Sequence, residues 1–509
     1  MKKILGIELG STRIKSVLID ETGKPLASGV YEWTNKLVGG YWSYDPDEIV
    51  KGIRTSYSEL VKDLGQTITS LDGLGISAMM HGYLALDKND KLLVPFRTWR
   101  NTTTSRAAKE LTELFGFNIP QRWSVAHYYQ AVLNNESHVA EVKSLTTLAG
   151  YVHFLLTGKK VLGIGDASGM FPIKNGEYNK EYVVKFNGLL SDHNVNVNFE
   201  TLLPEILLAG ENAGILTEEG AKILDVTGTL RSGAIVCPPE GDAGTGMVAT
   251  NSIAPETANV SAGTSAFLMV VLKDGFSRYY EEIDMVTTPC GDPVAMVHVN
   301  NCSNEINAWV ELFDEVIKLF GCDIDKENLY TRLFKRADES DLDCGKLTGY
   351  NFLSGEPIVG VSDGKLMFTR EPDGKLNLAN FMQMQLFSAL GALSLGMEIL
   401  YGENVRLKKV YGHGGFFKTE KIGATAVSAA IKAPVTVMKN AGEGGAWGIA
   451  LLALYRLKNE KTLADFLNVI FTDCRKTTVT ADEIQVKKFT AFMQRYKNLL
   501  PVERAAIEL

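Results

Sequence analysis

A chain of 509 residues is longer than one hydrophobic core usually organises, and its 45% apolar content supplies interiors for two or three domains. The net charge of −8, from 52 Lys and Arg against 60 Asp and Glu with no long basic block, argues against nucleic acid as a partner, because a polyanion needs clustered positive charge. No membrane partner is predicted either: Glu8 and Gly10 break the apolar start before a signal-peptide core forms, and no apolar run of about 20 residues follows.

In chain order, GIELGSTRIKSVLID (Gly6 to Asp20) reads as two strands broken by the turn Gly10-Ser11-Thr12. The turn signal ETGK leads into a third strand, PLASGVYEW, and the three make an antiparallel meander. DPDEIVKGIRTSYSELVKDL predicts a helix capped by Asp45, with Pro46 at its first position and Glu48 where a capping-box acid belongs. Its apolar stripe is Ile49, Val50, Ile53, Tyr57, Leu60 and Val61. LDGLGISAM follows as a strand, and from Ser105 to about Thr157 the pattern is helical, closing on Gly158 as a C-cap. NVSAGTSAFLMVVLKD, from Asn259, is again strand, Gly-Thr-Ser turn and strand. Gly10 and Gly263 lie about half the chain apart, the spacing that duplication of a domain produces.

Beyond the second turn come a long apolar helix, NLANFMQMQLFSALGALSLGMEILYG, then strand, glycine-rich turn, helix and strand in LKKVYGHGGFFKTEKIGATAVSAAIKAPVTV. AGEGGAWGIALLALYRL opens a last buried helix. Sheets covered by helices predict an α/β fold, and the boundary between its halves lies near Val248 to Ala254, where no low-complexity linker intervenes. Two short turns rich in backbone N–H groups and hydroxyls can face one another across a cleft and hold the phosphates of a nucleotide. GHGGFFKT lacks the spacing of a P-loop, and GEGGAWG lacks that of a dinucleotide fingerprint.

Seven segments in this order resemble the FGGY family of carbohydrate kinases, in the actin-like, ribonuclease-H-like ATPase superfamily, from about Lys3 to Tyr455. GIELGSTRIKSVLID is similar to its first phosphate motif, GISAMMHG (Gly75 to Gly82) to its sugar-contacting segment, and DASG (Asp166 to Gly169) to a structural motif. PPEGDAGTGM resembles the segment with the catalytic aspartate, SAGTS the second phosphate motif, LSGE (Leu353 to Glu356) a second-domain marker, and GHGGFFK the adenosine motif. The resemblance implies two duplicated ribonuclease-H-like domains with a cleft between them. Residues 1–250 would bind sugar and carry the first phosphate motif, and residues 251–509 would bind nucleotide.

It further implies ATP-dependent phosphorylation of a ketose hydroxyl, on a pattern nearest to the xylulose kinases, in a cytoplasmic protein that admits a homodimer. Asp242 would be the general base and touch the sugar, with Met80, His81, Gly82, Trp99, Arg100 and Asn101 around it. Gly10, Ser11, Thr12, Gly263, Thr264 and Ser265 would take the phosphates, and Gly412, Gly414, Gly415 and Phe416 the adenosine. Mg²⁺ would be held by Glu8 and Asp242 through water. The chain departs from the family at Glu8, where Asp is usual, at Trp99-Arg100-Asn101, where W-N-D is frequent, at Met79, where Gln is common, and at Phe416-Phe417-Lys418. Alternatives are a kinase of glycerol, another polyol or an aldonate and, in another class, an actin-like ATPase or a sugar sensor without turnover. GISAMMHG and TWRN favour a sugar site.

The residues themselves leave choices open. Asp242 suits a helix start as well as a base, His81 a packed strand end as well as a sugar contact, and Trp99 a core as well as a pocket. Lys15, alternating with apolar residues on a strand, is expected to be solvated. The other six histidines are expected to be structural, as are the six cysteines, which lack a C-x-x-C pair and suit reduced thiols.

Overall fold

The structure, a computed structural model, describes residues 1–419, 421–438, 444–458, 460–472, 474 and 476–508. The first part of the AGEGG turn, Ala441 to Glu443, lies outside them. Two sheets organise the rest. In the first, Ile4–Leu9 pairs antiparallel with Arg13–Ile19, which pairs antiparallel with Pro25–Glu32. On its other side Ile4–Leu9 pairs parallel with Gly73–Ala78, which is flanked by Ile235–Val236 and Glu240–Gly241.

The second sheet repeats the plan. Thr257–Ala262 pairs antiparallel with Ala266–Val271 across the Gly263 turn, and parallel with Lys409–His413. Ala266–Val271 continues antiparallel into Pro293–Val299, and Lys409–His413 parallel into Val435–Met438. The expected duplication is therefore present as shared strand order. It is what makes the first strand of each sheet central and buried at all but one position, because helices cover both faces.

Pro46–Leu64 covers one face of the first sheet, started by Asp45, whose carboxylate accepts the Asp47 N–H at 2.9 Å. The capping box does not form: Glu48 accepts instead from the Tyr31 hydroxyl at 2.8 Å and from Lys51 at 3.0 Å. The helical stretch expected over 105–157 is divided into Ser105–Phe115, Ser124–Leu133 and Leu148–Thr157, with the short strand Ser144–Thr146 paired to Leu84–Leu86 between the last two. Leu378–Gly402, against the expectation of no span-length apolar run, is long and apolar enough to cross a membrane, but 78% of its apolar window is buried inside the protein as the central helix of the second core.

Helix Gly444–Lys458 crosses the boundary expected near residue 250. It comes from the second half of the chain yet packs against the first sheet and against helix Asp242–Ala249. The approach is backbone to backbone: a Cβ on Gly6 would stand 2.0 Å from the Ala446 carbonyl oxygen. The last segment then completes the second domain. Lys476–Val479 forms an outer strand of its sheet, and helix Glu483–Glu508 buries Phe489, Phe492, Met493 and Tyr496 in its core. Lys488, 5% exposed, ends there by donating to the Ser340 carbonyl oxygen at 2.7 Å and hydroxyl at 2.9 Å. Because Gly6 has no room for a methyl group, Gly6→Ala should cost about 1–3 kcal/mol of stability, read as a lower urea midpoint at unchanged slope.

Candidate active site

The two glycine turns are held alike. The Gly10 carbonyl accepts from Trp33 Nε1 at 2.7 Å, that of Ser11 from the Tyr44 hydroxyl at 2.6 Å, and that of Thr12 from the Trp33 N–H at 3.2 Å. In the second turn the Gly263 carbonyl accepts from Ser303 N at 3.0 Å and Oγ at 2.7 Å, and the Thr264 carbonyl from Cys302 N at 2.9 Å. Their acceptor edges are thus bound into the protein, while Ser11, Thr12 and Thr264 stay exposed with hydroxyls to offer an anion. The adenosine turn sits beside the second of them: a Cβ on Gly414, at φ +102°, would lie 2.3 Å from the Ala262 carbonyl oxygen.

Gly412 and Phe416 do not face that turn's surface. Gly412 is within strand Lys409–His413, covered by the Phe417 ring, and Phe416 is 3% exposed in the second core, where an aromatic ring gains most from burial. Gly414 and Gly415 remain as the backbone a nucleotide can approach. Just before them His413 Nε2 donates to Asn259 Oδ1 at 3.1 Å, and Asn259 Nδ2 donates to the Gly246 carbonyl at 3.2 Å and the Thr250 hydroxyl at 2.6 Å. That network ties the turn to helix Asp242–Ala249.

Asp242 is the first residue of that helix, with Gly241 in the capping position. Its Oδ1 accepts from the N–H groups of Met80 at 3.2 Å and Ala243 at 3.0 Å. Loss of water raises its pKa to about 6 against those hydrogen bonds. Glu8 stands near it: desolvation first, then the charge of Asp242, raises its pKa to about 7. Glu8 Oε2 accepts from Ala446 N at 3.2 Å, at the start of helix Gly444–Lys458, and Gly445 lies against Oε1 without room for a Cβ. Lys15 is directly opposite Glu8 in the strand register and only 9% exposed, so it is not solvated as expected. Its charge lowers the Glu8 pKa. The alternation of its neighbours suggested a solvent face, but helices cover both faces of this sheet.

The sugar-segment residues separate into two groups. Met80, His81 and Gly82 form a turn next to Asp242, with His81 and Gly82 at φ +69° and +86°. His81 is buried, shares a hydrogen bond through Nδ1 with the Gly169 carbonyl at 3.2 Å, and stacks on Trp123. Burial first, then Arg122, holds its pKa well below the usual value, so the ring is neutral. Trp99, half-buried, donates from Nε1 to Ser11 Oγ at 3.3 Å and so joins this side to the first turn. Asn101 does not face a ligand. Its amide is spent on backbone, accepting from Trp42 N at 2.7 Å and donating to the carbonyls of Trp42 at 2.9 Å and Thr98 at 3.0 Å. Arg100 is exposed, stacked over Trp42 at 4.2 Å and bonded to Asn35.

Sequence reading missed a buried carboxyl pair behind the site. Glu240 accepts from Gly165 N at 3.2 Å and Asp166 N at 3.0 Å, and Asp166 accepts from the Thr147 hydroxyl at 2.5 Å. Desolvation, then mutual repulsion for Glu240, raises the pKa of Glu240 to about 8, and desolvation raises that of Asp166 to about 7. It also missed Arg122 and Asp284, whose side chains pair between the domains. No spacing marks either pair, and Glu240, set between Pro239 and Gly241, carries no local signal of burial.

Family models for the FGGY family of carbohydrate kinases match the N-terminal domain over residues 3–233 and the C-terminal domain over residues 258–457. The chain belongs to this family. It is a carbohydrate kinase built on the family's two-domain fold. Among its relatives is a xylulose kinase of Haemophilus influenzae, 22% identical over 443 residues, which cover 82% of this chain and 83% of the relative. Two solved structures each superpose with a TM-score of 0.81. One, a xylulose kinase from Brucella ovis, is 20% identical and covers 99% of this chain and 100% of its own; the other, a gluconate kinase from Lactobacillus acidophilus, is 16% identical and covers 99% of each. At these identities the structures establish fold and not substrate.

Glu240 and Asp166 bind protons more tightly folded than unfolded. Their neutral forms therefore stabilise the fold at low pH, and that contribution is lost as the pH rises through about 7 and about 8. Unfolding free energy should fall between about pH 5 and about pH 8, and urea titrations across that range should find the fall shallower in Glu240→Gln.

Proposed function

We propose that this carbohydrate kinase transfers the γ-phosphoryl group of ATP to a hydroxyl of a ketose, xylulose or a related pentulose or hexulose, with Asp242 as general base. The observation that carries the reading is the position of Asp242: one carboxylate oxygen is tied to the N–H of Met80 in the sugar turn, on a helix linked through Asn259 and His413 to the adenosine turn. A sugar hydroxyl seated against Met80 to Gly82 meets the base where a phosphate held between the Gly10 and Gly263 turns would end. A general base must be unprotonated, so turnover through it falls as the pH drops below about 6.

The residues present fit Mg²⁺. Glu8 and Asp242 are hard oxygen donors side by side, each with a raised pKa that a nearby cation would bring down, and Mg²⁺ at phosphates commonly uses one or two carboxylates plus water. When bound, it would neutralise charge on the phosphate oxygens. Glu8, anchored on Ala446, would hold it through water, and Lys15 beside Glu8 would meet the outer phosphate. Ser11 and Thr264 would orient the phosphates, and closure of the cleft would keep water from competing with the sugar hydroxyl.

The test is ADP formation with and without a panel of ketoses, polyols and aldonates. A ketose should give the highest kcat/KM; ADP formation that ignores every sugar would replace the reading by an ATPase, and preference for an aldonate would move it to that class. With the best substrate, Asp242→Asn should lower kcat by about 10² to 10⁴ at unchanged melting temperature. Asn caps a helix about as well as Asp, so near-normal turnover would leave Asp242 a structural residue. Glu8→Gln should shift the Mg²⁺ titration to higher concentration, and an unmoved titration would take Glu8 out of the site.

A further inference from the structure

The second domain touches the first on the sugar side through one strand and its following loop, Ile283–Thr287 and residues 288–291. Val286 packs into the apolar cluster of the first domain, and beside it runs a set of polar contacts. Asn118 Nδ2 donates to the carbonyls of Glu281 at 3.2 Å and Ile283 at 3.1 Å and to Asp284 Oδ1 at 3.1 Å. The other oxygen of Asp284 pairs with the Arg122 guanidinium, the two side chains being 9% and 17% exposed. Further along, Thr287 N donates to Ser168 Oγ at 3.0 Å, and Thr287 Oγ1 to the Ile164 carbonyl at 3.1 Å.

Arg122 has a second attachment, on the sugar turn. Its own carbonyl accepts the Gly82 N–H at 2.9 Å, the Ser124 hydroxyl donates to the Gly82 carbonyl at 2.6 Å, and Trp123 stacks on His81. Two residues before Gly82, Met80 N donates to Asp242. A continuous path of ion pair and hydrogen bonds thus runs from Asp284 in the nucleotide half, through Arg122 and the Met80–Gly82 turn, to Asp242.

We propose that the Arg122–Asp284 pair, with Asn118, is a positioning latch: by it the nucleotide domain holds the sugar turn in its binding shape, so sugar binds at full affinity only when the cleft is shut. The inference rests on the sugar-kinase reading of Asp242 and the Met80–Gly82 turn. An ion pair suits such a contact. Desolvating two charges roughly cancels their attraction, so the pair fixes geometry without gluing the domains, and both ions recover hydration when the cleft opens.

Asp284→Asn, Arg122→Gln and the double variant test it by two readouts. The first is the radius of gyration in solution, with and without a non-hydrolysable ATP analogue; the second is steady-state kinetics with the best substrate of the panel. Each single variant should be more expanded than the parent without ligand and raise sugar KM roughly tenfold, with KM for ATP unchanged and kcat reduced far less. The double variant strands no charge and should be less impaired than the worse single. Asn118→Ser, which strands no charge either, should move sugar KM the same way and keeps the test decisive should a single charge variant fold poorly. Unchanged scattering and sugar KM in the variants, KM for ATP rising in step, or single effects that multiply in the double variant would overturn the latch. If no sugar on the panel is turned over, the ketose reading fails, while scattering still decides the latch.

Discussion

The site depends on the close passage of helix Gly444–Lys458 between the first sheet and helix Asp242–Ala249. Both approaches are set by glycine: Gly6 meets the Ala446 carbonyl, and a Cβ on Gly448 would stand 2.1 Å from the Thr245 carbonyl oxygen. With side chains there the helix would stand off by the width of a methyl group. Its N-terminus would then miss Glu8, and Asp242 would lose the packing that sets its helix beside the sugar turn. A segment from the far end of the chain therefore brings a carboxylate of the first strand and one of the domain junction to the same place.

Burial in a poorly solvated cleft raises the pKa values of both Glu8 and Asp242, and at Glu8 the charge of Asp242 adds to the shift. The arrangement costs stability when the cleft is empty and is relieved when positive charge enters. Lys15, opposite Glu8 in the register, supplies part of that relief within the protein. The pair formed by Glu240 and Asp166 is different in kind: desolvation raises both pKa values, the amides of Gly165 and Asp166 and the Thr147 hydroxyl counter it by donating to the carboxyl oxygens, and the bonded pair braces the wall behind Asp242.

Much of the fold was legible because it is written locally. The hairpins around Gly10 and Gly263, the cap at Asp45 and the C-cap at Gly158, φ +72°, are each decided by a few neighbouring residues. What was not legible is what depends on residues distant in sequence. Asn101 carries the polarity of a ligand contact, yet the backbone of Trp42 and Thr98 takes its whole amide. Phe416 sits in a motif for nucleotide binding, yet its ring belongs to the core. Lys15 alternates as a surface residue would, and a helix more than four hundred residues later covers it. Glu48 was drawn from the capping box by the Tyr31 hydroxyl of a neighbouring strand. In each case a tertiary partner outbid the local preference.

The two glycine turns show how a duplicated element comes to be anchored differently in its two copies. Their carbonyls are bound inward in both copies, but by different partners. The second turn hangs on Cys302 and Ser303 at the start of helix Asn304–Leu319, wholly within the second half of the chain. The first hangs on Trp33 and Tyr44, and its serine hydroxyl accepts from Trp99, which belongs to the sugar side. Trp33 and Tyr44 stack at 4.1 Å, and Tyr44 stacks in turn on Phe96, three residues before Trp99. Packed aromatic rings therefore join the segment around Trp99 to the first turn, while the carbonyls of the second turn are held from within their own half of the chain, so the two copies share a backbone plan and differ in what that plan is fastened to.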